Sequence, residues 1–414
     1  MTTLNKVFNK IDGYRDDVID LQKGLTSKIA LGPENGGSGE HEKAEYMKNV
    51  IKELHPDLVE EINAPDERVA KGYRPNLISI WNGTDGAPTV WVLSHLDIVP
   101  PGDLSLWDTD PYVLEVDGDK IMGRGVEDDQ HGIVSSFMAL RSIQDAGVRP
   151  KRNVGLILVA DEETGSRYGL GYILEMRKDL FKKKDLIIVP DAGDEEGTMI
   201  EIAEKSMLHL KFTVTGKQCH ASTPDHGRNS LYGAARLIVA LEKLKEKFND
   251  SNELFSPPVS TLEPTKMEAN VPNVNTIPGK DVFYLDCRIL PSYNLDDVMS
   301  AAKEIAGEVA EELNISIEVD SKLRLDAPVP TPEDAPVVKA LTAAINKVTG
   351  LKGKPMGIGG GTVAALFRQV GLPAAVWMSV SDTAHQPNEY CLISNIMQDA
   401  KVLACIYMDE CNEA

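Results

Sequence analysis

Three apolar runs in the first half of the chain end in the same unusual way. "TVWVLSHLD" closes on His95 and Asp97, "NVGLILVADEE" on Glu162 and Glu163, and "DLIIVPDAG" on Asp191. Continuous apolar runs of this length read as strands buried on both faces, as in a largely parallel sheet covered by helices. A core does not accept massed ionisable side chains, so charges at the ends of such strands belong to a rim. In open α/β sheets that rim, at the carboxyl ends of the strands, is where ligands bind.

Between the first two runs lies "DDQHGIVSSFMALRSIQDAG". Its Ile133, Val134, Phe137, Leu140 and Ile143 follow a helical period, and Gly147 suits the stop. Strand, helix and strand in that order predict an α/β domain with a mainly parallel mixed sheet flanked by helices. Upstream, residues 3–30 and 40–54 read as amphipathic helices. The stretch "GPENGGSGEHEK" before the second lacks the Lys-Ser/Thr of a phosphate-binding loop and reads as a helix entry.

From about residue 206 the rhythm changes. "LHLKFTVTG", "PPVSTLEPT", "DVFYLDCRIL" and "ISIEVD" read as strands. "NSLYGAARLIVALEKLKEKF" and "NLDDVMSAAKEIAGEVAEEL" read as helices. The order is βαββαβ, a ferredoxin-like sandwich inserted into the first domain. After about residue 326 the α/β pattern resumes with the helix "DAPVVKALTAAINKVTG", the strand "AAVWMSV" and the helix "SNIMQDAKVLACIYMDE". The expected organisation is residues 1–205 and 326–414 in a catalytic domain and 206–325 in the insertion.

The chain of 414 residues carries 43 Lys and Arg against 64 Asp and Glu, a net charge of −21. That balance argues against nucleic acid or an anionic membrane as partner and leaves a small-molecule substrate. The five Cys, at 219, 287, 391, 405 and 411, are odd in number and form no CxxC. They imply neither a disulfide framework nor a thiolate metal site, and a reducing cytoplasm fits. The start "MTTLNKVFNKIDGYRDD" has no apolar signal region, and no run approaches about 18 apolar residues.

Each rim residue has a plain structural reading when taken singly. His95 could be a satisfied buried histidine, and Asp128 in "GRGVEDDQHG" a first-turn acid. Glu162 and Glu163 could be a solvated pair, Asp191 a turn residue, and His385 in "TAHQPNEY" a loop histidine. Taken together the plain reading fails, because carboxylates massed at one rim repel each other unless cations neutralise them. Two His with several carboxylates suit zinc, with cobalt or manganese as alternatives. Five ligands exceed one open tetrahedral site and suit two divalent ions sharing a bridging carboxylate. One of the adjacent glutamates can then bind metal while the other takes a proton from water.

Taken in order, "SHLDIVPPGD", "GRGVEDDQHG", "DEETGS", "PDAG" and "AHQPNE" resemble the M20 metallopeptidase family. That group includes succinyl-diaminopimelate desuccinylase, acetylornithine deacetylase, aminoacylase and glutamate carboxypeptidase. The resemblance implies a two-zinc catalytic domain with an inserted ferredoxin-like domain that forms a homodimer and serves as a lid. It implies that His95 and Asp191 bind one metal, that Glu163 and His385 bind the other, and that Asp128 bridges them. Glu162 becomes the general base and acid, and Asp97 orients His95 from behind. A cis peptide is expected at Asp128–Asp129.

The same resemblance extends into the insertion. In "GKQCHAST", His220 would reach the partner subunit's site and stabilise an oxyanion; its plain alternative is a structural histidine in a turn. Asn275 in "PNVNTIPG" would contact substrate. Arg288 in "LDCRILPS" would bind a substrate carboxylate, or else pair with a neighbouring acid. In "GIGGGTVAALF" the backbone N–H groups of Gly360, Gly361 and Thr362 could hold a carboxylate. Two departures stand out. Asp191 occupies a position where many desuccinylases carry Glu, and Gln130 and His131 stand where many members have Lys-Gly.

The expected reaction is metal-assisted hydrolysis of an amide in a short peptide or N-acyl amino acid with a free carboxylate. The competing expectations are the desuccinylase or deacetylase activity proper, a dinuclear phosphoesterase, and an inactive peptide-binding homologue.

Overall fold

The computed structural model describes residues 2–85 and 87–411, and in it the buried runs become neighbouring strands of one eight-stranded sheet. In space the order is Leu58–Pro65, Tyr73–Trp81, Arg152–Val159, Ala87–His95, Leu186–Asp194, Ala374–Ser379, Met199–Glu204 and Lys354–Ile358. The centre is parallel: Ala87–His95 runs with Arg152–Val159 and Leu186–Asp194, and Leu186–Asp194 runs with Ala374–Ser379. Antiparallel pairs lie outside it. Four parallel strands bring four carboxyl ends to one edge, which is where the His and carboxylate residues stand.

Side-chain size explains the pairing of Ala87–His95 with Arg152–Val159. Trp91 lies opposite Gly155 in the parallel register. A Cβ on Gly155 would sit 2.1 Å from the Trp91 ring, so only glycine admits the indole. Trp91 meets Phe181 edge-on at 5.2 Å, and Phe181 meets Phe367 at 4.9 Å. Helix Gln130–Asp145 buries Ile133, Val134, Phe137, Leu140 and Ile143 and packs against the C-terminal helix Ile393–Tyr407.

The chain divides into two compact bodies. One holds Met1–Ile202, Pro330–Met356 and Thr362–Ala414, and the other Ala203–Val329 and Gly357–Gly361. The second is a four-stranded antiparallel sheet in the order Thr261–Met267, Lys280–Ile289, Ser206–Thr215, Ser316–Leu325, with helices Ser230–Ala240 and Leu295–Leu313. This is the βαββαβ order. Burial alternates along Ser206–Thr215, the signature of a sheet with one covered face. Phe212 and Phe283 are partners in register and stack at 4.8 Å.

Several local expectations change. The helix expected over 3–30 breaks at Asp12–Tyr14 into Thr3–Ile11 and Arg15–Thr26, and Gly13 supplies the corner. The helix of the insertion ends at Ala240 and restarts as Lys243–Lys247. The strand expected in "PPVSTLEPT" starts only at Thr261, because Pro257 and Pro258 offer no N–H to a ladder. Gly357–Gly361 belongs with the second body: Gly357 N–H donates to Leu254 O at 2.6 Å and Lys205 N–H to Ile358 O at 3.0 Å. Among the described residues no helix is long and apolar enough to cross a membrane, and the five cysteines are free thiols.

Candidate metal centre

His95 is the last residue of its strand and is buried. Its Nε2 lies 2.7 Å from Asp128 Oδ1 and 3.6 Å from Asp191 Oδ1. On the other side of Asp128, Oδ2 lies 2.9 Å from His385 Nε2, and His385 lies 3.1 Å from Glu163 Oε2. The donor atoms fall into two triads, His95–Asp128–Asp191 and Asp128–Glu163–His385, each with its atoms within 4.8 Å of one another. Asp128 belongs to both.

The turn after Val159 sets the two glutamates. Asp161 adopts a left-handed backbone, φ 66°, which turns the chain into the short 3₁₀ segment Glu162–Thr164. A non-glycine residue there is costly and persists only where its surroundings fix it. Asp161 is fixed: its carboxylate accepts from Thr164 Oγ1 and, at 2.9 Å, from Tyr168 N–H. Asp97 then holds the turn against the His95 strand, its two oxygens accepting the N–H groups of Glu162 and Glu163 at 3.1 Å each. The oxygen that meets His95 Nδ1 at 3.0 Å is the Asp97 carbonyl, with the carboxylate further off at 3.5 Å. Asp97 therefore supports both sides of the site, the imidazole through its backbone and the glutamates through its side chain.

The peptide Asp128–Asp129 is cis. Asp129 caps helix Gln130–Asp145, accepting Gly132 N–H at 3.2 Å, and also accepts His95 N–H at 3.1 Å. His131 has no part in the triads: its Nε2 is 2.9 Å from the buried Asp399, inside the helix packing.

The electrostatics call for positive charge. Burial pushes the Glu162 carboxyl well above its ordinary range, and the neighbouring Asp191 charge adds to this. Burial likewise raises Glu163, against the pull of His385. Burial alone would lower His95, but Asp128, Asp191 and Asp97 outweigh it and hold it well above its usual value. Asp128 and Glu163 raise His385 to about 10. Two imidazoles drawn toward their cationic forms amid this many carboxylates are a donor set that fits divalent ions, which supply the same charge and release the protons.

The remaining candidates lie on the second body, apart from Thr362. His220 pairs with Thr276 across a two-residue ladder, is exposed, and has its Nδ1 2.8 Å from Ser222 Oγ. Asn275 is its neighbour: its carbonyl accepts Ala221 N–H at 2.9 Å. Arg288 is engaged by Asp286, at 2.7 and 3.1 Å, so the pairing with a neighbouring acid is present. Its Nη1 also donates to Gly359 O at 3.2 Å, joining it to the glycine segment that carries Gly360 and Gly361. Thr362 precedes the six-residue helix Ala364–Gln369 and belongs to the first body.

Two buried acids outside the expected site residues brace the candidate ligands. Glu389 is fully buried and accepts from Arg124 Nη1 at 2.6 Å and from the N–H groups of Gly125 and Glu127 at 2.9 Å. Glu127, also buried, accepts the N–H groups of Ser381 and Thr383. Both lie within the quoted motifs, Glu127 directly before Asp128 and Glu389 four residues after His385. An acid adjoining a ligand inside a motif was the available signal.

The chain resembles known proteins in sequence and in fold. The pattern of Peptidase family M20/M25/M40 matches residues 91–409. A metallohydrolase of Methanococcus maripaludis, described as uncharacterised, is 41% identical over 408 residues, covering 94% of this chain and 97% of that protein. A succinyl-diaminopimelate desuccinylase of Wolbachia pipientis is 27% identical over 383 residues, covering 92% and 90%. Among solved structures, an aminopeptidase of Bacillus cereus superposes with a TM-score of 0.73 over 95% of this chain and 98% of that one, at 19% identity.

Proposed function

The chain belongs to the M20/M25/M40 peptidases, a family of metal-dependent hydrolases, and on that premise we propose that it hydrolyses amide bonds in short peptides or N-acyl amino acids bearing a free carboxylate. The observation that carries this is the shared Asp128: two triads meet on one carboxylate, and Glu162 stands in the same turn as the ligand Glu163.

In this reading His95 and Asp191 would hold one divalent ion, Glu163 and His385 the other, with Asp128 shared between the two sites; zinc is the first choice, with cobalt or manganese able to replace it. Bound there, the ions would supply Lewis acidity toward a water and the amide carbonyl. Glu162 takes the proton of the attacking water, keeps it while the tetrahedral carbon forms, and passes it to the leaving nitrogen. Its raised affinity for protons, caused by burial and by Asp191, suits a group that accepts a proton and returns it. Asp97 keeps Glu162 and Glu163 in register with His95.

Asn275, Arg288 and the backbone of Gly360, Gly361 and Thr362 are the proposed contacts for the substrate. At Arg288 a substrate carboxylate would share the guanidinium with Asp286. His220, supplied by a second copy of the chain in a homodimer, would stabilise the oxyanion. Residues 206–325 would then serve as the dimerisation and lid domain. Five free thiols fit a reducing cytoplasm.

The test is hydrolysis of dipeptides, N-acetyl amino acids, acetylornithine and N-succinyl-diaminopimelate by protein loaded with zinc, cobalt or manganese, read by amine release. Release from one class, abolished by chelation and restored by metal, supports the proposal and names the substrate class. No release from any member by protein shown to carry two ions counts against it and favours a peptide-binding role.

A further inference from the structure

Two of the three residues of the second triad, Asp128 and His385, come from two segments that are tied to each other. Residues 123–129 carry Asp128, and residues 381–389 carry His385. They are joined by two buried carboxylates that point in opposite directions. Glu389, on the His385 segment, accepts three N–H groups of the Asp128 segment: Gly125 at 2.9 Å, Glu127 at 2.9 Å and Asp128 itself at 3.2 Å. Glu127, on the Asp128 segment, accepts from the His385 segment: Ser381 N–H, Thr383 N–H at 2.7 Å and Thr383 Oγ1 at 2.9 Å. Arg124 completes the brace, donating to Glu389 at 2.6 Å and to Gln386 O at 3.3 Å.

The His385 segment needs such a brace. Asp382, His385 and Asn388 all have left-handed backbones, with φ of 57°, 63° and 58°. Non-glycine residues in that region are held there by contacts rather than by preference. Only one of these residues is a ligand, so the geometry of His385 depends on what fixes the loop around it. Glu127 fixes its start and Glu389 its end.

We propose that Glu127 and Glu389 are positioning residues that set the metal centre unequally. Glu127 acts through the His385 segment alone and therefore on the Asp128–Glu163–His385 site. Glu389 acts through Asp128, which both triads share, and therefore on both sites. Neither side chain is placed to touch substrate. The inference rests on the two-ion reading above.

The experiment is zinc titration of the full-length protein by calorimetry, checked by elemental analysis after dialysis, first for the wild type and then for Glu127→Gln and Glu389→Gln. The isosteric amide removes the charge and turns a donor toward the N–H groups. Loss of an outer partner of a metal ligand typically costs about 10- to 100-fold in affinity. The expected result is that Glu127→Gln weakens one of two sites by about tenfold or more and leaves the other nearly unchanged, whereas Glu389→Gln weakens both. Thr383→Val, which removes a hydroxyl lying 2.9 Å from both Glu127 and Tyr390 O and accepting Tyr390 N–H at 3.0 Å, with little change in shape, should weaken the same single site severalfold. It serves if either glutamine variant fails to fold. A merely structural role would lower the melting temperature of the metal-free protein without separating the sites. Equal weakening of both sites by Glu127→Gln or by Thr383→Val, or no weakening, would overturn the proposal. A wild type that binds fewer than two ions would sink the two-ion reading, and this inference with it.

Discussion

Asp128 stands between two imidazoles, 2.7 Å from one and 2.9 Å from the other, and so links the five candidate ligands into one cluster. The imidazoles must give up protons before they can bind metal. With His385 held up to about 10 by Asp128 and Glu163, a proton competes with metal throughout the neutral range. The sign follows: apparent metal affinity rises with pH, by up to about tenfold per unit for each proton displaced. Competition against a chromophoric chelator at about pH 6, 7 and 8 measures the slope, and a flat profile would contradict the assignment. The clustering of these five residues was legible because a strand buried on both faces does not end in charged side chains unless the rim gathers them. The side chains that brace them were not. Glu127 and Glu389 bind backbone N–H groups of segments far away in the chain, and no local pattern encodes such a partner. Arg288 lay between these cases, since its pairing with Asp286 two residues away is a spacing that strand geometry permits.

At the scale of the element, the central strands were readable because burial on both faces leaves an unbroken apolar run. The strands Leu58–Pro65, Met199–Glu204 and Lys354–Ile358 were not picked out. Leu58–Pro65 forms one edge of the sheet and carries Glu60 and Glu61, and Lys354–Ile358 forms the other and includes Pro355 and Gly357. Edge strands tolerate charge and proline, and so lose the apolar signal. Two substitutions test how these elements are held. Gly155→Ala would drive a methyl into the Trp91 ring from the facing strand, and overpacking of this kind costs about 1–3 kcal/mol. Arg368 and Glu201 are paired and buried, at 2.8 Å and 2.9 Å, between the short helix Ala364–Gln369 and the strand Met199–Glu204. Arg368→Met removes the guanidinium that meets Glu201 in the core, and breaking a buried pair of this kind costs about 3–5 kcal/mol. Denaturant unfolding of the metal-free protein should show both losses, with Arg368→Met the larger. A reversed order would mean that the ion pair matters less to this body than the fit of Trp91.

Across the whole molecule, the candidate ligands come from five separate stretches, around residues 95, 128, 163, 191 and 385. An unfolded chain cannot assemble them, so a metal held by them would bind the native state and raise its stability by about 2.7 kcal/mol when free metal is 100 times the dissociation constant. The midpoint of thermal unfolding should therefore rise with zinc and fall on chelation, and a midpoint indifferent to both would contradict the centre as drawn. The division into an α/β body and a βαββαβ body was legible from the change in strand and helix rhythm near residue 206. The return of Gly357–Gly361 to the second body was not, because a glycine-rich pentapeptide carries no periodicity to read. In the proposed mechanism this metal centre works through Glu162. The decisive measurement is turnover of Glu162→Gln against the wild type, on a cleaved amide and at matched metal content. The expected result is unchanged metal content with kcat lower by about 10²- to 10⁴-fold. Turnover near that of the wild type would contradict it.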